Sequence, residues 1–115
     1  MKDAASLFPH FLDSLKDPFL FADTGHIIVY MNKAAAAHYQ EGRKLIGTNV
    51  LDCHNETSRK MMLEIFAALK EGEEERLITD DEKHRIYMRA VRDGDGKLLG
   101  YYERYEPPVK KTKSA

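Results

Sequence analysis

Apolar and polar positions follow two rhythms along this chain, and the changes between them mark its elements. Leu7, Phe8, Phe11, Leu12 and Leu15 recur at helical spacing and form one stripe of an amphipathic α-helix, with Ser6 as its expected N-cap. Pro9 then falls in the first turn, where a missing N–H costs little, and Asp17-Pro18 closes the helix because the residue before proline avoids the α region. Two short apolar runs follow, 18–22 and 27–30, joined by Asp23-Thr24-Gly25. They read as a β-hairpin whose corner takes its positive φ from Gly25. Asn32 is placed to cap a short alanine-rich helix that reaches Tyr39, and Glu41-Gly42 breaks it.

From 43 to 55 the pattern is polar and interrupted, which predicts one or two short turns. A longer helix is expected over 56–70, capped by Asn55. Its apolar stripe is Met61, Met62, Ile65, Phe66 and Leu69, and Gly72 stands just beyond its end. The acidic run 73–75 reads as a solvated connection. Three strands complete the pattern: 76–79, 84–92 after a polar turn at 80–83, and 98–105 after the hairpin signal Asp93-Gly94-Asp95-Gly96. In the middle one Ile86, Met88 and Ala90 face one way and Arg85, Tyr87 and Arg89 the other. The last carries Tyr101, Tyr102 and Tyr105. Pro107-Pro108 stops regular structure, leaving a basic tail that is expected to be disordered. Strands in runs, separated by helices, imply an α+β fold: an antiparallel sheet with the helices gathered on one face.

Length and composition narrow the functional classes. A chain of 115 residues makes one domain, divided here into an N-terminal helix (1–16), the domain proper (17–106) and the tail (107–115). The 18 basic and 19 acidic residues leave a net charge of −1, so no global field recruits nucleic acid or an anionic membrane. The single cysteine, Cys53, rules out an internal disulfide and fits a reducing compartment. With no membrane-length apolar run and no basic-then-apolar leader, a cytoplasmic location is expected. No Ser-His-Asp order, P-loop, HExxH or glycine-rich dinucleotide loop is present, and an enzyme is not expected.

Candidate chemistry is sparse. Cys53 and His54 adjoin a helix N-terminus, whose partial charge favours a thiolate, and both residue types ligate haem iron and metals. The competing reading makes Cys53 a small buried hydrophobe and His54 a packing residue, since one adjacent pair does not complete a metal site. His10, His26, His38 and His84 are scattered singly and read as surface residues. Arg89 with Tyr87 would suit a ligand carboxylate if their face lined a cavity, but the apolar set around Met88 is the better core face. A cavity between the longer helix and the central strands would take apolar walls from Phe66, Leu69 and Met88, with Tyr39 within reach.

The hairpin residues Asp23, Gly25, Ile27 and Asn32, then Ile46-Gly47 with Val50, then Asp93 to Gly100 resemble PAS sensor domains over about 15–106. More narrowly, Asn49 to Asn55 with Ser58-Arg59-Lys60, and the aromatic-x-Arg strand Tyr87-Met88-Arg89, look like the PAS subgroup often fused to hemerythrin-like domains. That resemblance implies a five-stranded antiparallel sheet enclosing a small cavity with the short helices. In such domains the cavity holds haem, flavin, a carboxylic acid, a metabolite or nothing. Cys53 lies in Asp52-Cys53-His54-Asn55 and not in the flavin-photosensor segment, so flavin is not expected. The implied function is a stand-alone sensor that binds a small ligand and signals in trans, through a homodimer or a signalling partner. The stripe Leu7, Phe8, Phe11, Leu12 and Leu15 would supply the dimer contact. Two alternatives are a ligand-free dimerisation or interaction module, and a haem- or metal-dependent redox or gas sensor using His54 or Cys53.

Overall fold

The computed structural model describes residues 3–108, excepting the side chain of Cys53. The order is α1 (Ala4–Asp13), β1 (Phe19–Asp23), β2 (Ile28–Met31), α2 (Lys33–His38), two 3₁₀ turns (Gly42–Leu45 and Val50–Cys53), α3 (Glu56–Lys70), β3 (Glu75–Asp80), β4 (Arg85–Arg92) and β5 (Leu98–Glu106). The five strands form one antiparallel sheet in the order β2-β1-β5-β4-β3, so the last strand of the chain is the central one.

Local chemistry explains most boundaries. Asn32 and Asn55 cap α2 and α3 by accepting the backbone N–H of Ala35 and of Ser58. At the end of α3, Gly72 takes φ 119° while the Gly72 and Glu73 N–H groups bond back to the Leu69 and Ala68 carbonyls, a Schellman closure. The first helix departs from the expectation. Its cap is Asp3, whose carboxylate accepts the Ser6 N–H, so Pro9 lies mid-helix and the helix ends at Asp13, leaving Leu15 outside it.

The β1–β2 corner also differs. His26, at φ 68°, holds the left-handed position, not Gly25. The reason is an Asp23 side chain that accepts both the Gly25 and the Ile27 N–H, which tightens the turn and moves the left-handed residue past the glycine. A bulge follows: Phe21 pairs with Tyr30 and Ala22 with Ile28, leaving Val29 unpaired and exposed. It lets Ile28 and Met31 both point inward despite their odd spacing.

The sheet separates two environments. On its inner face Leu20, Ala22, Met31, Met88 and Tyr101 pack with Met62, Ile65 and Leu69 of α3 into one core. Met61, expected in that stripe, is exposed, because the buried face of α3 is centred on Ile65. Gly100 is required where β5 crosses β1: a Cβ there would stand 2.2 Å from the Ala22 carbonyl oxygen. On the outer face Glu75, expected in a solvated connection, opens β3 and takes Arg104 in a two-pronged pair at 2.8 and 2.9 Å. No helix among the described residues is long and apolar enough to cross a membrane. The basic tail lies largely outside the described residues.

Candidate functional site

The inner face of β5 sets the site. Strand alternation turns Tyr101, Glu103 and Tyr105 toward the helices. Glu103 stands opposite Leu20 on β1 and Met88 on β4, both buried and apolar. At 3% exposure it lies deep in the structure, and its Oε2 has no hydrogen-bond partner among the described residues. Burial lifts its carboxyl from 4.5 to about 7.

The flanking tyrosines are engaged elsewhere. The Tyr101 hydroxyl lies 2.8 Å from His26 Nδ1, and the Phe66 ring meets His26 and Tyr101 edge-on at 4.6 and 5.8 Å. The Tyr105 hydroxyl lies 3.0 Å from that of Tyr39. The His84 ring stacks on Tyr105, and the His38 ring meets it edge-on. Burial, then the nearby Glu103 charge, raises both tyrosines, Tyr105 to about 12. Burial pushes His26 below its ordinary value, against the opposing charge of Asp23.

Of the residues singled out in the sequence, Tyr39, Phe66, Leu69 and Met88 do gather around this face. Tyr87 and Arg89 do not. They stand on the outer face with Glu75 and Arg104, in phase opposite to Ile86 and Met88, and the Arg104 guanidinium lies 4.1 Å over the Tyr87 ring. Their place follows from register, as the apolar alternation of β4 implies: Ile86 and Met88 claim the core and send their alternates out, which leaves Tyr87 and Arg89 no part in an inner-face site. His54 is half-buried directly before the Asn55 cap, with burial lowering its imidazole. The described residues contain no group of three His, Cys, Asp or Glu side chains placed to hold a metal. The Cys53 side chain lies outside the description.

Tyr101, Glu103 and Tyr105 carry no role in the sequence reading, and His26, expected at the surface, is instead partly buried because its ring packs on Phe66 and its Nδ1 meets the Tyr101 hydroxyl. Period-two counting along 98–105 would have put Glu103 between two inward tyrosines, although charge alone marks it as a surface residue. Nothing local to His26 reveals its contact with Tyr101, 75 residues away.

The outer face carries a second feature. Leu12 of α1, with Phe19, Phe21, Tyr30 and Tyr102, lines an apolar groove of about 380 Å³. Beside it Leu7, Phe8 and Phe11 are exposed. The helix is pinned by Asp13, which accepts from the Tyr30 hydroxyl, the Lys33 N–H and the Arg43 guanidinium.

A sheet of this order, with its helices on one face and a leading helix at its edge, defines the PAS architecture. The family model for the PAS domain matches residues 9–106, and the chain belongs to that family. Its fold is similar to that of a C-terminal domain from Streptococcus mutans (21% identity, 90% of this chain and 84% of that one, TM-score 0.75). It is similar also to a PAS domain from Colwellia psychrerythraea (13% identity, 95% and 100% covered, TM-score 0.70). A third likeness is to the Aer2 receptor of Vibrio cholerae, described as a dual PAS-haem oxygen sensor (17% identity, 81% and 95% covered, TM-score 0.59). No curated protein matches the sequence.

Proposed function

We propose that this PAS domain is a sensor module that takes a small molecule on the inner face of its sheet and signals in trans. The observation that carries the reading is the polar set built into an otherwise apolar layer: the His26–Tyr101 pair, the Tyr39–Tyr105 pair and Glu103 between them. A core selected only for packing gains nothing from a buried carboxyl and two tyrosine hydroxyls at its centre. Sites for small molecules have that composition, mostly apolar with a few convergent polar groups. The output surface in this reading is α1 and the outer groove.

Native mass spectrometry of the freshly purified protein, beside its absorption spectrum, tests it. A small-molecule mass released on denaturation is the expected result. A Soret band that His54→Ala removes would replace it with the haem-sensor alternative. Protein with no adduct, whose melting responds to no metabolite, would leave the second reading, a ligand-free interaction module. The apolar groove beside exposed Phe8 and Phe11 is the feature in that reading's favour.

A further inference from the structure

Among the described residues, Glu103 is the group on the inner face whose chemistry is incomplete. Its Oε2 is buried and unpartnered among the described residues. Its strand neighbours across the sheet, Leu20 and Met88, offer no donor. The hydroxyls of Tyr101 and Tyr105, on either side of it, pair with His26 and with Tyr39. An acid in such surroundings keeps the whole penalty of leaving water, whereas an apolar side chain of similar size would carry none. The position therefore favours a missing donor.

We propose that the missing donor is the nitrogen of a small organic amine, held as an ammonium against Glu103 with its apolar body among the surrounding side chains. The proposal rests on the inner-face sensor reading and names the ligand class for it. Once Glu103 is ionised, its carboxylate repels an anion. A metal ion would need further ligands, and no suitable group of three occurs among the described residues. An ammonium satisfies the carboxylate by a charge-assisted hydrogen bond. Tyr101 and Tyr105 are its same-face neighbours on β5, so aromatic surface stands on either side of the carboxyl along the strand. Leu20 and Met88, opposite Glu103, belong to the same buried apolar cluster as Met62 and Ile65, the surroundings that an apolar body would join.

Three probes of similar size separate the outcomes: benzylamine, benzyl alcohol and benzoate, titrated into the whole chain at mildly alkaline pH. Methyl NMR signals of Leu20 and Met88 report on the inner face. The wild type is expected to prefer benzylamine over either of the others by about tenfold or more. In Glu103→Gln, which keeps the shape and loses the charge, that preference should vanish. Both Glu103→Gln and a second variant, Glu103→Met, should melt above the wild type when no probe is present. Equal binding of the three probes, or a preference that survives in Glu103→Gln, overturns the amine assignment and leaves the sensor reading standing. Variants that melt below the wild type also overturn it, because the carboxyl is then already satisfied. No shift at either methyl with any probe overturns the amine proposal and the inner-face reading together.

Discussion

Glu103 carries a signature that needs no ligand. In the fold its carboxyl titrates near about 7 against an ordinary 4.5, so between those values the folded chain holds a proton that the unfolded chain has released. Stability from this group is full below the unfolded value and is lost as pH rises through the folded one, on the order of 3 kcal/mol in all. His26 and His54 act in the opposite sense. Their imidazoles are pushed down by burial, so their contribution stands above 6.5 and is lost as pH falls toward the folded values. Among the described residues the titratable groups that feel the Glu103 charge are Tyr101 and Tyr105 on its own strand, whose hydroxyls meet His26 from the hairpin and Tyr39 after α2. The buried positions of β1, β4 and α3 that share its core, Leu20, Met88, Met62, Ile65 and Leu69, are all apolar. Glu103→Gln deletes the first contribution and leaves the histidines. Its stability advantage over the wild type should therefore widen by on the order of 3 kcal/mol between about pH 5 and about pH 8. Urea unfolding of both proteins across that range measures it. A constant difference would mean that the acid titrates as if solvated.

Asn32 shows how one side chain assembles several elements. Fully buried, it accepts through Oδ1 from the Phe19 and Ala35 N–H groups and donates through Nδ2 to the Leu12 and Asp17 carbonyls. The end of α1, the start of β1 and the start of α2 meet on this amide, with every hydrogen-bonding site in use. Asn32→Ala should cost about 3 kcal/mol, because it removes a helix cap and strands buried backbone groups. Asn32→Asp should be no better, since its second oxygen would face two carbonyl oxygens where a donor is required. Equilibrium unfolding of the pair decides the point, and an Asp variant within about 0.5 kcal/mol of the wild type would contradict it. Asn32 also marks what was legible in the sequence. Its capping role could be read from the alanines that follow it, as could the Asn55 cap and the Asp93–Gly96 hairpin, because each is a short-range rule. Its bonds to Leu12 and Asp17 could not, since they depend on where α1 comes to rest. The same limit hid the inner-face site. The phase of β5 was countable, but Glu103 becomes a buried acid only once β5 is known to be the central strand, and that order follows from pairing across the whole chain.

At the scale of the molecule the two faces of the sheet divide the work. The inner face is closed by α3, while the outer face is half charged and half apolar. Glu75, Arg89, Arg104 and Tyr87 form a paired network across β3, β4 and β5. Toward β1 and β2 the surface turns to Phe19, Phe21, Tyr30 and Tyr102, with Leu12 of α1 above them. Phe8 and Phe11 lie next to this groove at 60% and 62% exposure, too apolar a patch to be indifferent on a chain of this size. A second copy docking there by a two-fold axis would cover α1 and the groove at once, with each copy presenting the same surface. The anchor of α1 does not depend on either phenylalanine. It is made by Asp13, whose carboxyl is held below its ordinary value chiefly by the Tyr30 hydroxyl, and by the bond from Asn32 to the Leu12 carbonyl. Replacing Phe8 and Phe11 by Glu should therefore separate association from folding. The wild type should sediment as a dimer at high micromolar concentration, and the double variant as a monomer with unchanged circular dichroism and melting temperature. A monomeric wild type, or a double variant that still dimerises, would place the output surface elsewhere on the domain.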